Sequence, residues 1–319
     1  MGASSIGVKG IIGSFYNQLE AEVGASWIDK ISMYFPSNQE TETYKWLGMS
    51  PAMREWLGGR QAKGFREGGI TITNKIFEAT VAILLDWIRR DKTGQIDVRI
   101  GELARRAVEH WSMLLSEFLT NGTGSTSGLC YDGQYFFDSD HSEGDSGTQL
   151  NLLTNTQVAA LDVTTATTPT PVEAAKAILG VIAYMLTYKD DAGEPMNDGA
   201  RSFLIMTSPT LWPFIAPAIY NPLVSSGETN PVAGIMNNTD FTIEVVPNSR
   251  LAYTTQFVCF RTDAKTKPLI RQEEVGVKMS VLGPGSDHEF NEREHLYSVE
   301  SLRNVGFGYW QQAAHATLS

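Results

Sequence analysis

The stretch Ile70–Gly122, ITITNKIFEATVAILLDWIRRDKTGQIDVRIGELARRAVEHWSMLLSEFLTNG, changes its hydrophobic period partway along, and that change decides the fold class. From Phe77 to Ile88 the period is two. Phe77, Ala79, Val81, Ile83, Leu85 and Trp87 point one way and Glu78, Thr80, Ala82, Leu84, Asp86 and Ile88 the other, which predicts one long strand. From Ile100 onward, Ile100, Leu103, Ala104, Ala107, Val108, Trp111, Leu114, Leu115 and Phe118 fall three and four apart, which predicts one amphipathic helix over about 98–120. Its other face carries Glu102, Arg105, Arg106, Glu109, Ser112 and Glu117. Asn121-Gly122 supplies residue types that tolerate the left-handed conformation closing many helices. About twenty residues at about 1.5 Å each make a rod of roughly 30 Å, long enough to span a domain.

Working outward, Thr43–Leu47 is the expected partner of the long strand, because Tyr44 and Trp46 share a face. The glycine-rich tract Gly58–Gly69 between them is read as the tip of a long hairpin-like excursion. Further upstream, Ile12, Phe15, Tyr16, Leu19, Val23, Trp27, Ile28, Ile31 and Tyr34-Phe35 need burial, yet no turn folds the segment back. It is expected to pack on a neighbouring chain as much as on its own. Downstream, Asn121–Gly128 and Asp138–Thr148 read as loops. Thr170, Pro171 and Glu173 form a capping box that opens a second helix, with Val172, Ala175, Ile178, Leu179, Ile182, Met185 and Leu186 on one side. Short strands at Ser202–Thr207, Phe241–Val246 and Gln256–Phe260, a short helix at Pro209–Ile219, and alternating runs at Val275–Val281 and Tyr297–Tyr309 complete an α+β pattern.

A chain of 319 residues with 42% apolar composition can bury a substantial core. Cys130 and Cys259 lie far apart and form neither a disulfide framework nor a paired metal motif, which favours a reducing compartment and cytoplasmic synthesis. Met1–Ile6 has neither the Ser or Thr of a myristoylation signal nor the basic-then-apolar order of a secretory one, so no export is expected. The longest apolar runs, Ala79–Ile88 and Leu211–Val224, fall short of the about 20 residues of a membrane span. The net charge of −11 is uneven: residues 1–50 hold three basic against five acidic groups, 51–110 eleven against eight, and 111–319 eleven against twenty-three. An acidic body disfavours sequence-specific nucleic-acid binding, whereas a basic protrusion on it is attracted to another copy of that body.

Chemistry is thinly signalled. Asp287-His288-Glu289-Phe290-Asn291-Glu292-Arg293-Glu294-His295 crowds imidazoles and carboxylates together, but matches no metal-ligand spacing and follows the loop residues Gly283-Pro284-Gly285-Ser286. A solvated polar loop is expected. The Gly-rich run after the rod follows a helix instead of opening one and lacks a Gly-Lys-Ser or Gly-Lys-Thr ending. Cys130 has Asp132 close by but no His motif beside it, and reads as a small buried apolar residue. His110, His141, His288, His295 and His315 share no spacing, and no Gly-x-Ser-x-Gly elbow occurs. No catalytic, cofactor-binding or metal-ligating residue is assigned, and no cofactor is expected.

Several segments carry a family resemblance: Tyr44-Lys45-Trp46-Leu47-Gly48, Arg54-Glu55-Trp56-Leu57-Gly58, Ile72-Thr73-Asn74-Lys75-Ile76-Phe77-Glu78-Ala79-Thr80-Val81, Cys130-Tyr131-Asp132-Gly133-Gln134-Tyr135-Phe136-Phe137-Asp138 with His141, and Arg303 followed by Gly306-Phe307-Gly308-Tyr309-Trp310-Gln311. In order, they resemble the tailed-phage major capsid proteins of the Hong-Kong-97-type fold, and within them the Mu-like major head subunit (gpT) family. The resemblance implies an N-terminal arm at 1–42, an extended loop at 43–95, a peripheral domain at 96–165 with its spine helix at about 98–120, an axial domain at 166–260, and return strands to the peripheral domain at 261–319.

It further implies a structural, non-enzymatic protein of the virion. Such a protein would assemble in the host bacterial cytoplasm into hexameric and pentameric capsomers of an icosahedral shell around double-stranded DNA. The implied partners are further copies of the chain, a separately encoded scaffold protein and a portal protein at one vertex, with a decoration protein left open. Cross-linking through Lys63 or Lys75, known in one branch of the fold, has no motif here. Two rival readings are a cellular shell of the same fold around an enzyme cargo, and a metal-dependent hydrolase using Asp287, His288 and His295.

Overall fold

The computed structural model describes residues 7–22, 24–45, 69–91, 93–223 and 230–319. Trp46-Leu47-Gly48, Arg54–Gly58, Lys63 and the glycine-rich tract up to residue 68 lie outside the described residues, as do residues 1–6, Val23 and Val224.

The chain opens with helix α1 (Val8–Ala21), a one-turn helix α2 (Ile28–Ile31), and strands β1 (Ser32–Pro36) and β2 (Thr41–Tyr44). Strands β3 (Ile70–Thr73) and β4 (Lys75–Leu84), the short helix α3 (Leu85–Arg90) and the 26-residue spine helix α4 (Gln95–Thr120) follow. After the two-residue strands β5 (His141–Ser142), β6 (Thr148–Gln149) and β7 (Leu152–Leu153) come helix α5 (Pro171–Met185), strand β8 (Ser202–Thr207), helices α6 (Trp212–Tyr220) and α7 (Pro231–Asn238), and strands β9 (Thr242–Pro247) and β10 (Gln256–Arg261). A long hairpin, β11 (Leu269–Leu282) and β12 (Glu294–Phe307), carries helix α8 (Asp287–Glu292) at its turn, and β13 (Ala313–Thr317) ends the chain.

Two sheets organise these elements, one in the order β1-β11-β12-β4 and the other β7-β13-β10-β8-β9. The spine crosses both bodies. Its first half packs Ile96, Ile100, Leu103 and Ala104 with Ile11 and Phe15 of α1 and with Ile83, Tyr297 and Val299 of the first sheet. Its last turns carry Leu114, Leu115 and Leu119 into a second, larger core with Phe136, Phe137, Ile178, Phe260 and Trp310. The two outer turns of the apolar stripe are therefore buried, while Ala107, Val108, His110 and Trp111 between them stay half-buried. The spine begins where the Asp91 carboxylate accepts hydrogen bonds from the backbone N–H groups of Thr93, Gln95 and Ile96 (3.3, 3.1 and 3.0 Å), after Gly94 at φ 72°. Arg105 pairs with Glu109 and Arg106 with Glu102 (3.2 Å), along its solvent face.

Four expectations are corrected. The long strand ends at Leu84, because its partner β12 begins opposite it at Glu294; beyond that point the chain has no ladder to join and closes its own helical bonds as α3. Thr41–Tyr44 pairs with Ile70–Thr73 and not with the long strand; Asn74, whose N–H donates to Glu40 O (2.7 Å), separates β3 from β4. The arm folds back on its own body: Ile11 and Phe15 are buried against the spine, and β1 adds to β11 as a parallel edge strand. Asn121 sits at φ −92°, and Gly122 has no positive φ. Glycine is required there by space, since a Cβ on Gly122 would lie 2.9 Å from the Phe137 ring.

The second helix starts as read. The Thr170 hydroxyl accepts from Glu173 N–H (3.3 Å) while the Glu173 carboxylate accepts from Thr170 N–H (2.9 Å). The tail divides between sheets: β11 and β12 join the first, whereas Ala313–Thr317 pairs with Gln256–Phe260 in the second.

Candidate subunit-contact surfaces

The residues to weigh on this surface are those that leave apolar or charged groups without a place in the cores. Ile76, Trp87, Val98 and Phe290 are 72%, 55%, 72% and 87% exposed. Isolated exposed apolar residues are ordinary, but Trp87, Val98 and Phe290 lie on α3, the first turns of α4 and α8, at the end of β4 where Leu84 pairs with Glu294, while Ile76 lies at the strand's other end opposite Leu302. The open face of the first sheet sets Glu78 directly opposite Glu300, with Lys278 next across the ladder. Like charges placed so weaken a sheet by a few tenths of a kcal/mol or more, and a cation arriving from outside relieves them.

At the waist of the spine, apolar packing gives way to cation and aromatic contacts. The Trp111 ring lies between Arg303 (4.9 Å from its centroid) and Arg271 (5.6 Å), and Arg271 also covers Tyr34 of β1 (5.6 Å). The Tyr34 hydroxyl donates to Glu273 (2.7 Å), and its pKa is pushed up to about 12 by burial and then by that carboxylate. Arg303 is 2% exposed, donates through Nε to Ser301 (2.8 Å) and faces Glu273 at 3.8 Å. Contacts of this kind are each worth about 0.5–2 kcal/mol, and here they tie the arm strand, the spine and the long hairpin together. Beside them runs a groove of about 240 Å³ lined by Phe77, Ala79, Ala107, His110, Met113 and Val299. Burial, then the nearby Arg303 and Arg250, lowers the His110 pKa to about 4, so its imidazole is neutral at pH 7, while Glu78, Glu300, Arg106 and Arg303 bring charge to the groove.

The residues with chemical potential are placed as follows. Asp287–Glu292 is a short helix, capped by Ser286, and not a solvated loop. His288 Nε2 meets Glu294 (3.0 Å) and buried His295 Nε2 meets Glu289 (3.2 Å), so the two imidazoles engage separate carboxylates. Among the described residues no group of three or more His, Cys, Asp and Glu side chains is placed to hold a metal ion. Cys130 is buried, and burial followed by the charge of Asp132 pushes its thiol well above the ordinary range. Cys259 is buried in β10 and is shifted the same way by burial alone. Sequence reasoning missed the partner of Asp132: its carboxylate meets His141 Nδ1 at 2.6 Å with both side chains fully buried, and the imidazole lies flat on Trp310. These three residues all fall in the segments that carry the family resemblance, which was the only signal available.

This architecture, a long spine between two sheets with an arm and a loop base at one end, is that of phage capsid subunits. The structure resembles the procapsid subunit of bacteriophage JBD30 (TM-score 0.55, 23% identity, covering 98% of this chain and 75% of that one). It also resembles the capsid protein of cyanophage P-SCSP1u (TM-score 0.51, 14% identity, 93% and 91% covered). The fold is the Hong-Kong-97-type shell fold. The sequence matches the Mu-like prophage major head subunit gpT family over residues 8–170 and 236–318, and the chain belongs to that family. Two curated relatives are similar over part of their length: the major capsid protein of Escherichia phage Mu, 36% identical over 120 residues, and the Mu-like prophage FluMu major head subunit of Haemophilus influenzae, 37% identical over 115 residues. The alignments span 38% and 36% of those relatives, and the same shares of this chain. Among the described residues no helix is long and apolar enough to cross a membrane.

Proposed function

We propose that this chain is the shell-forming subunit of a phage head, a structural protein without enzymatic activity that assembles with copies of itself into hexamers and pentamers around double-stranded DNA. The observation that carries the reading is a chain of the major head subunit family whose cores are filled while Ile76, Trp87, Val98 and Phe290 still face solvent. Burying such groups against neighbours is the work of a shell subunit. Permanent interfaces typically bury about 2,000–5,000 Å². Several per subunit make escape of one copy improbable even where each contact is modest.

In this reading residues 1–42 are the arm, 43–95 the extended loop, 96–165 the peripheral domain, 166–260 the axial domain and 261–319 the return strands. The excess positive charge of residues 51–110 suits the open sheet face around Glu78 and Glu300 on a neighbour, and the acidic remainder repels packaged DNA and leaves it free to move. The partners are a separately encoded scaffold, a portal at one vertex and, where the shell is decorated, a decoration protein. The mature protein resides in the virion after assembly in the host cytoplasm. Electron microscopy of the chain expressed with its scaffold tests this: closed icosahedral particles are expected, and dispersed subunits under conditions that assemble other members of the family would overturn it.

A further inference from the structure

Strand β4 is an outer strand of the first sheet, and it is left open where the other edges of the two larger sheets are guarded. β1 and β9 have five and six residues and end in Pro36 and Pro247, and β7 has two residues. Where β11 runs on past β1 it carries register shifts between Glu273 and Lys278, and the Tyr16 hydroxyl accepts the N–H of Met279 (3.1 Å). Short runs, prolines and bulges are the usual means of keeping a sheet edge from joining another chain. β4 has none of them: its ten residues include no proline, and its register with β12 runs from Lys75 to Leu84 without a shift.

The ladder decides which groups face outward. Leu85 N–H donates to Arg293 O (3.0 Å), so the odd-numbered residues of β4 exchange their bonds with β12. The N–H and C=O groups of Ile76, Glu78, Thr80, Ala82 and Leu84 therefore turn to the open edge, and among the described residues none has a backbone partner. Ile76 and Leu84, near the two ends of the strand, are exposed, and Glu78 is the one charged side chain of the five.

A strand joining this edge must set outward-facing residues against outward-facing residues, and β4 of a second copy does so about a two-fold axis. In the antiparallel register centred on Thr80, Ile76 faces the second copy's Leu84, Glu78 faces its Ala82, and Thr80 faces its Thr80. The exposed apolar ends cover one another, and the two Glu78 residues lie about 14 Å apart along the ladder. Centring the register on Glu78 or Ala79 brings those carboxylates opposite or diagonal to each other, and centring it on Val81 carries Ile76 past the end of the strand toward α3. On the spine side, the register centred on Thr80 sets Phe77 opposite Ile83 and Ala79 opposite Val81. Grooves of about 240 and 420 Å³ flank the edge there, one at Phe77 and Ala79 and the other at Ala82 and Ile83, and the two-fold axis brings the first of one copy to the second of the other.

We propose that β4 is a two-fold contact between copies of this chain, in which the two strands pair antiparallel about Thr80 and continue the sheet from one copy into the next. Such a contact uses the same residues on both sides, so it closes on itself and does not propagate into a fibre. It deepens the shell reading by naming one contact, and rests on that reading only in requiring that copies meet.

Cysteine trapping in the full-length chain tests this, both free at high concentration and in particles formed with the proposed scaffold. Directly opposite residues of a hydrogen-bonded pair have Cα atoms about 5.5 Å apart, inside the range of about 4.4–6.8 Å that disulfides span. Thr80 is exposed and the native Cys130 and Cys259 are buried. Thr80→Cys should therefore fold and, on air oxidation, give a covalent dimer that a reductant dissolves. Glu78→Cys and Ala82→Cys should each remain single chains and give a dimer only when the two are mixed before oxidation or assembly. Closed particles without the Thr80→Cys dimer overturn the two-fold contact and leave the shell reading standing. The dimer in a chain that never forms particles supports the contact and counts against the shell. No dimer in either setting overturns the proposal, as does a Glu78→Cys dimer that forms alone as readily as that of Thr80→Cys, which would place the strands in another register.

Discussion

Gly306, in the motif that runs to Gln311, sits in β12 directly beneath the base of the excursion. A Cβ placed there would lie 2.2 Å from Cδ1 and 2.7 Å from Cγ1 of Ile72, which is 3% exposed. Ordinary carbon contacts are about 3.5–4.0 Å, so Gly306→Ala must push Ile72, and with it β3, away by roughly 1–2 Å. Overpacking of this kind costs about 1–3 kcal/mol. Ile72→Ala alone should cost about 2–5 kcal/mol through the cavity it leaves. That substitution removes both atoms that collide with the new methyl, so in its background Gly306→Ala should be close to neutral and fill part of the void. The double variant is then more stable than the sum of the single effects predicts, by about 1–3 kcal/mol. Urea unfolding of the wild type, the two single variants and the double variant measures this coupling. Effects that add to within about 0.5 kcal/mol would refute the steric account of Gly306, because no shared contact would then exist.

Other substitutions probe the cap, the buried histidines and the excursion. Thr170→Ala should cost about 0.5–2 kcal/mol in thermal or urea unfolding, since it removes the hydroxyl that accepts the Glu173 N–H and donates to the Glu173 carboxylate, leaving only the backbone arm of the capping box. Hydrogen bonds from Thr164 and then from Thr170 lower the Glu173 pKa to about 2, so that carboxylate stabilises the fold above its ordinary 4.5 and the benefit is lost as pH falls toward 2. Thr170→Ala should remove only part of that pH dependence, because the Thr164 bonds and the backbone N–H of residue 170 still hold the carboxylate. Burial lowers the His315 pKa from 6.5 to about 4; its contribution is present above 6.5 and lost as pH falls toward 4, so His315→Phe should lose less stability than wild type over that interval in melting experiments. Deleting Gly58–Gly69 should leave a folded subunit, by circular dichroism, that no longer forms closed particles in electron micrographs.

Signals confined to one segment were legible in the sequence. The spine followed from a stripe three and four residues apart, and the α5 start from Thr170-Pro171-Glu173, because both depend on neighbours within one or two turns. What failed depended on partners far away in the chain. Phe77–Ile88 reads as one strand throughout, and only the start of β12 at Glu294 dictates that it turns helical after Leu84. Ala313–Thr317 carries no strand signal of its own; its alanines are fully buried in a strand held between β7 and β10. The arm was read as packing on a neighbouring chain as much as on its own because nothing in Val8–Ala21 announces that Phe15 joins one core with Ile100 and Tyr297. Of the surface, the charge asymmetry could be read directly, whereas the facing of Glu78 and Glu300 and the stacking of Arg303 on Trp111 are products of strand register and the packing of spine on sheet.

The folded-back arm sharpens the central question, since α1 is already covered by the chain's own spine and assembly falls to the exposed apolar groups and the excursion. Sedimentation of the purified full-length chain, alone and with the proposed scaffold, addresses this most directly. Shell-sized particles formed with the scaffold and lost in a variant carrying Ile76→Glu and Phe290→Glu are the expected result. A wild-type chain that stays a stable monomer at high concentration in both settings would contradict it.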